Sequence, residues 1–401
     1  MKQFPYQWRA LLLMMMGWGV AGLVHNCVAF LFPYFSVDFQ LSAAHNGYLA
    51  GTLAFFWTLA IFFGGPLADR LGQVKVIASG FTLGALALAL VAWSYSVAVL
   101  YVLMAMTGLG SGIIVSASFS FLIEQSDPKN RGLFFGAAQS TFTLVGAAIG
   151  AVVFTRLGDS AIGWRGSYLL MAMLVFGTAA TIFLFGHRIP RNVQTEEGAK
   201  GRFRDLLVYK NVVLSTVLAC LMMMWYLTVA AYTILFLMEA RGMTAVAAGA
   251  VFAGFGSGGF IGEFAAPMVS DRLGRKATAL VAVGLGGLCF AAFVFMPLSA
   301  LGMTVAIAGA ACFMSGGVAI LNSVVPSESV PPHLVATATA FTPAAGECMG
   351  GVVAPVIAGM MAGALGTAQV MTLLAVLPVL VVVGVCFLQE TAPLVLSKRN
   401  K

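Results

Sequence analysis

Two glutamates stand where acids are rare. Glu347 falls near the middle of the apolar stretch Ala344-Ala345-Gly346-Glu347-Cys348-Met349-Gly350-Gly351, and Glu263 lies eight residues before Asp271 near the end of another, roughly 12 Å of helix rise away from it. Ionisable side chains within a membrane are costly and mark ion or substrate paths. A carboxyl group that meets water first on one side and then on the other can load and release a proton. Glu347 is therefore the first candidate for proton coupling and Glu263 the second. Each also has a structural reading: a protonated glutamate bonded to a neighbouring helix or, for Glu263, a contact with the basic loop that follows. His25 and Asn26 sit midway along the first apolar stretch. A histidine, with an ordinary pKa of about 6.5, can bind an anionic group when protonated or share in proton transfer; a neutral ring packed between helices is the alternative.

The elements that carry these residues follow from composition. The chain has 401 residues, of which 60% are hydrophobic and 9% charged, with a mean hydropathy of +0.97; a soluble domain carries about 25% charged residues. This chain belongs in a bilayer, and there is no room for an aqueous catalytic or DNA-binding module. Apolar windows at 10–35, 46–67, 76–95, 98–123, 133–155, 166–186, 211–238, 247–269, 277–296, 301–325, 334–361 and 368–388 predict twelve spans, all helical because an open strand edge is not tolerated in lipid. The run from Leu11 to Phe35 is too long for the apolar core of a cleavable signal peptide, and is expected to be a retained first helix.

Charge placement gives the orientation. The formal net charge is +7, which elsewhere would suggest nucleic acid. Here all but Arg156, Arg165 and Arg241 of the 21 Lys and Arg residues fall on one side of the expected spans. By the positive-inside rule both termini and the long loop lie in the cytoplasm, in the cytoplasmic (inner) membrane, and no nucleic-acid partner is expected. Six cysteines, Cys27, Cys220, Cys289, Cys312, Cys348 and Cys386, fall in apolar stretches without metal-ligand spacing. They are expected to be free, buried thiols, and no metal or other cofactor is expected.

The one long hydrophilic break, His187 to Lys210, divides the chain into residues 1–190, a cytoplasmic linker at 191–210, and residues 211–401. The two parts repeat each other. Ala68-Asp69-Arg70-Leu71-Gly72 recurs 202 residues later as Ser270-Asp271-Arg272-Leu273-Gly274, and Gly112, Glu124 and Pro128 recur 204 residues later as Gly316, Glu328 and Pro332. Transporters built from parallel repeats have this arrangement, with a substrate site near the midplane between the halves.

Gly65-Pro66-Leu67-Ala68-Asp69-Arg70-Leu71-Gly72 resembles the signature G-x-x-x-D-[RK]-x-G of the major facilitator superfamily, which joins its second and third helices. The second copy sits where that family puts it, and the resemblance covers essentially the whole chain. It implies the superfamily fold: all-α, integral to the membrane, with twelve transmembrane helices in two pseudo-symmetric six-helix halves. It also implies a gating role for Gly65, Asp69, Arg70, Gly72, Asp271, Arg272 and Gly274, with Arg131 as a partner of Asp69. Pro267 in the slot of Gly65 departs from the pattern and leaves the second loop as either a switch or a structural relic.

In this superfamily helices one, four, seven and ten line the cavity. His25, Asn26, Tyr226, Tyr232 and Asn322 are thus expected to bind substrate, together with Gln139 from span five, and Trp225, Ser116, Ser120, Ser140 and Thr143 are further polar candidates. Each of these also serves for interhelical bonding, at about 0.6 kcal/mol on average. Gly163-Trp164-Arg165-Gly166 resembles the outer end of the family's sixth helix, or is simply an aromatic and basic interface anchor. Span five lacks the Gly-Pro pair of drug antiporters, and Glu263 stands where related carboxylate carriers often have a basic residue.

No Lys or Arg lies deep in a span, and no nucleotide loop, HExxH or nucleophile elbow occurs in context. The expectation is a secondary active transporter, not an enzyme. It would move a small monocarboxylate, zwitterion or neutral polar solute by alternating access with protons, working as a monomer. The alternatives are efflux of hydrophobic cations or drugs, uniport, and, more distantly, a non-transporting membrane receptor.

Overall fold

The computed structural model describes residues 6–126, 131–189, 203–393 and 395–396. Among the described residues every regular element is helical, as the need to satisfy backbone groups internally in lipid requires. Twelve helices are long and apolar enough to cross a membrane: α1 (Gln7–Asp38), α2 (Ala43–Leu71), α3 (Gln73–Val91), α4 (Val97–Gln125), α5 (Leu133–Asp159), α6 (Gly163–Gly186), α7 (Lys210–Arg241), α8 (Ala245–Leu273), α9 (Arg275–Phe295), α10 (Ala300–Glu328), α11 (Thr337–Leu365) and α12 (Thr367–Val385). Each overlaps one expected window. The edges differ where backbone bonding and hydropathy part company: α2 runs on through Asp69 and Arg70, whereas α3 ends at Val91 because Trp93 and Ser94 bond back to Leu90 and Val91 in a tight turn.

The chain divides into two compact units, Met1–Thr195 with Thr244–Gly249, and Glu196–Met243 with Ala250–Lys401. Of the expected linker, residues 191–202 lie outside the described residues. The remainder contains a helical turn, Phe203–Leu206, whose Leu206 is buried with Val212, Leu334 and Ala338.

Within each unit, glycines let one helix pair approach backbone to backbone. In the first, a Cβ on Gly108 would meet the Leu53 carbonyl, and one on Gly112 would lie 2.5 Å from the Trp57 carbonyl, so α4 supplies the glycines against α2. In the second, Gly258 and Gly262 of α8 meet the carbonyls of Ala308 and Cys312 on α10, while Gly316 of α10 meets the Cβ of Ala266 on α8.

Five spans are interrupted, α12 by a turn at Ala375 and Val376. α1 breaks at Asn26 (φ −95°, ψ 3°), whose amide nitrogen donates to the Gly22 carbonyl at 2.9 Å. α5, α10 and α11 each contain a wide π turn, at Phe142–Ile149, Ile320–Val324 and Cys348–Val353; such turns are frequent at functional sites. The loops leaving α2 and α8 turn on Gly72 (φ +95°) and Gly274 (φ +102°), a backbone geometry that glycine adopts without strain.

The cysteines correct one expectation. Only Cys27 is buried; Cys220, Cys289 and Cys312 are half-buried, and Cys348 and Cys386 are exposed. An apolar window faces lipid as readily as protein, so hydropathy does not report burial. At the far end of the first unit, Trp164 and Arg165 both donate to Asp38 Oδ2 at 2.9 Å, and the guanidinium lies 4.1 Å from the Trp164 ring centroid. This clamp fastens the end of α1 to the start of α6.

Candidate functional site

In the first unit the break in α1 presents His25 to aromatic rings. Its imidazole stands edge-on to Trp57 of α2 at 5.1 Å and tilted to Phe142 of α5 at 5.5 Å. His25 Nδ1 is buried and has no hydrogen-bond partner among the described residues. Buried polar atoms are nearly always bonded, so a nitrogen left free in this box is a ready partner for a solute. Asn26, also buried, is committed at its amide nitrogen to its own helix. Nothing in the spacing of a single sequence relates Trp57 to His25, so that neighbour went unforeseen.

The other candidates of this unit fare differently. Ser116 Oγ is buried without a partner among the described residues. Ser120, Ser140 and Thr143 bond back to carbonyls of their own helices, and Gln139 is exposed. Trp18 donates to Ser118 Oγ at 3.0 Å, joining α1 to α4.

In the second unit α7, α10 and α11 meet beside Glu347. A Cβ on Gly346 would lie 3.1 Å from Met223 Cγ and 3.7 Å from Asn322 Oδ1. Glu347, the next residue, is half-buried at the junction with the π turn of α11, with no hydrogen-bond or ion-pair partner among the described residues. Asn322 Oδ1, Tyr226 Oη and Trp225 Nε1 are likewise buried and unpartnered among the described residues. Tyr226 packs on Phe255 at 4.7 Å and lies within electrostatic reach of Glu263 on α8. Tyr232 is fully buried. The structure therefore brings Gly346, the residue before Glu347, and Asn322 to one helix junction, with Tyr226 one helical turn along α7 from Met223.

The two signature loops differ in their wiring. Asp271 pairs with Arg275 at 2.6 Å, and Arg275 also grips Glu328 through Nε at 3.1 Å and Nη2 at 2.8 Å and donates to the carbonyl of Pro267 at 3.3 Å. In the first loop Gln73 stands in the place of Arg275 and donates to Glu124 at 2.6 Å. Arg70 and Arg272 are exposed. The side chain of Arg131, the expected partner of Asp69, lies outside the described residues.

A family model of the Major Facilitator Superfamily matches residues 10–346. The chain belongs to the major facilitator superfamily. Among relatives of this superfamily member, a 4-hydroxybenzoate transporter of Pseudomonas aeruginosa is 30% identical over 191 residues, 47% of this chain and 41% of that protein. A gallate transporter of Pseudomonas putida is 24% identical over 362 residues, 80% of this chain and 78% of the relative. The match to the first thus spans less than half of that relative's length. A bacterial homolog of the human lysosomal transporter Spinster superposes with a TM-score of 0.81 at 17% identity, over 95% of this chain and 96% of the other. A variant of the nucleoside transporter NupG gives 0.74 at 14% identity, over 95% and 98%. At these identities the likeness is one of fold: a multi-pass membrane protein with the superfamily's helical architecture.

Proposed function

We propose that this chain is a secondary active transporter moving a small aromatic monocarboxylate across the cytoplasmic membrane together with protons. The observation that carries the reading is Glu347, a carboxyl group half-buried in α11 next to Gly346, which packs near Asn322, with no partner among the described residues to tie it into the scaffold. Alternating access exposes this group to one aqueous phase and then the other, and each exposure exchanges a proton. Glu263 on α8 is the second proton site. Asn322, Tyr226 and His25 hydrogen-bond the solute, with Asn26, Gln139 and Tyr232 as supporting candidates.

An aromatic substrate is favoured by the rings around His25 and Tyr226 and by the aromatic acids for which the two Pseudomonas relatives are named. Lys and Arg occur only within the first or last four residues of the spans. A monoanion moving with one proton needs no fixed buried cation, because the pair carries no net charge. Gly65, Asp69, Arg70, Gly72 and Arg131, with Asp271, Arg272 and Gly274, gate the cytoplasmic ends. The halves 1–190 and 211–401 act as the moving bodies of a monomer, and both termini are cytoplasmic.

The test uses purified protein in liposomes that enclose a pH-sensitive dye. Aromatic monocarboxylates, amino acids, sugars and lipophilic cations are supplied in turn to wild type and Glu347→Gln. Internal acidification driven by an aromatic acid, lost in the variant, supports the proposal. Solute flux with no pH change, and intact in the variant, overturns it in favour of uniport. Transport of lipophilic cations alone overturns it in favour of efflux, for which the same carboxylate would be the counter-charge.

A further inference from the structure

Aromatic rings of the first unit follow one another in an unbroken series. Trp57 of α2 meets His25 of α1 at 5.1 Å between centroids, and His25 meets Phe142 of α5 at 5.5 Å. Phe142 meets Trp18 of α1 at 6.2 Å, Trp18 meets Phe119 of α4 at 5.9 Å, and Phe119 meets Phe135 of α5 at 5.2 Å. Trp18 precedes His25 by seven residues on α1, and Phe135 precedes Phe142 by seven on α5, so the series descends about 10 Å along both helices. It heads for the ends where α1 and α5 begin and α4 finishes, the side proposed as cytoplasmic.

Exposure separates this series from core packing. His25, Phe142, Phe119 and Phe135 are each half-buried. In the second unit the rings that touch Trp225, namely Phe255 and Phe290, are at most 1% exposed and fill the interior. Gln139 indicates what the open rings face. Phe135, Gln139 and Phe142 stand at i, i+4 and i+7 on α5 and share one face of that helix. The Gln139 side chain is exposed and makes no hydrogen bond among the described residues. An amide is costly in lipid, and polar residues within a span face the bundle interior or a water-filled space. The face of α5 that carries Phe135 therefore borders the aqueous path, where a solute meets rings and an uncommitted amide together.

We propose that Phe119, Phe135 and Gln139 form a second seat for the carried solute, about two helical turns to the cytoplasmic side of the His25 box. The aromatic ring of the solute lies against Phe119 and Phe135, and the Gln139 amide donates to its carboxylate. Moving between the seats exchanges one set of ring contacts for another, so no step strips the solute of every partner. The seat rests on the reading of the solute as an aromatic monocarboxylate.

The full chain in detergent is irradiated with 4-azidobenzoate, an aromatic monocarboxylate whose azide loses dinitrogen and inserts into neighbouring bonds. Labelled positions are mapped by mass spectrometry with and without excess benzoate. Label is expected at two places, around His25 and Phe142 and around Phe119 and Phe135, and benzoate should suppress both. Phe119→Leu/Phe135→Leu, which keeps apolar bulk but removes the rings, should lower the second label about tenfold, the worth of two ring contacts. Gln139→Leu should lower it too, with both rings in place. The seat is overturned, and the aromatic reading left standing, when benzoate-suppressible label is confined to the His25 box or when the second label survives in both variants. Absence of any suppressible label overturns both.

Discussion

Gly274 and Glu390 are so close that a methyl group on the glycine would stand 2.6 Å from Glu390 Oε2. The segment after α12 therefore folds over the loop that opens α9. Gly72 has the same positive φ but nothing within 4 Å of its Cβ position. Gly72→Ala is expected to lose about 1–3 kcal/mol through backbone strain alone. Gly274→Ala should lose a further 1–3 kcal/mol through overpacking. Thermal unfolding in detergent compares them, and equal losses would show that Glu390 moves aside freely.

Arg275 serves two carboxylates unequally. Its side chain is 7% exposed, that of Glu328 21% and that of Asp271 56%. Removing one member of a buried pair is strongly destabilising, whereas exposed pairs contribute about 0–1 kcal/mol. Arg275→Gln should therefore destabilise by about 3 kcal/mol, mostly through Glu328. Double-mutant cycles with Glu328→Gln and Asp271→Asn read the split; stronger coupling to Asp271 would contradict the geometry.

The contact of α11 with α7 rests on two glycines of different tolerance. A Cβ on Gly350 would run into the backbone of Met223, whereas one on Gly346 meets nothing closer than the Met223 side chain at 3.1 Å. Gly350→Ala is expected to destabilise by about 1–3 kcal/mol and to depress solute flux. Gly346→Ala should remain near wild type, because a methionine side chain repacks readily. The same order of effects in unfolding and in flux is the check, and a reversed order would place the tight contact at Gly346.

The Tyr226 hydroxyl separates binding from stability. It is buried with no partner among the described residues, so Tyr226→Phe removes no protein hydrogen bond and should leave the unfolding temperature unchanged or slightly raised. If the hydroxyl bonds the solute, KM for the transported acid should rise about 3- to 10-fold. A large drop in stability with KM unchanged would assign the hydroxyl to the scaffold.

Much of this architecture is legible in the residues themselves. Hydropathy marks all twelve spans because lipid demands apolar length, and the two D-R-L-G loops announce the repeat because their glycines must take a positive φ. Comparing the copies also pairs Glu124 with Glu328, but only the fold shows Gln73 and Arg275 holding them. Burial is the weak point. Gln139 and Cys348 are exposed while Tyr232 and Cys27 are enclosed, since the rotation of an apolar helix leaves no trace when protein and lipid solvate its faces alike. The His25 box needs Trp57 and Phe142 from two other helices, and no spacing within one sequence measures that approach.

The placement of the close-contact glycines bears on how the two copies can change. By the 204-residue offset Gly108 of α4 corresponds to Cys312 of α10, and the missing glycine is made up by Gly262 on the opposing helix. A chimera joining α2 to α10 would set Leu53 against Cys312 where it now meets Gly108, although Trp57 would still face a glycine at Gly316, while one joining α8 to α4 would set Gly262 against Gly108 and leave a void. The descendants of the duplication have become non-interchangeable parts, each helix inherited only with its mate.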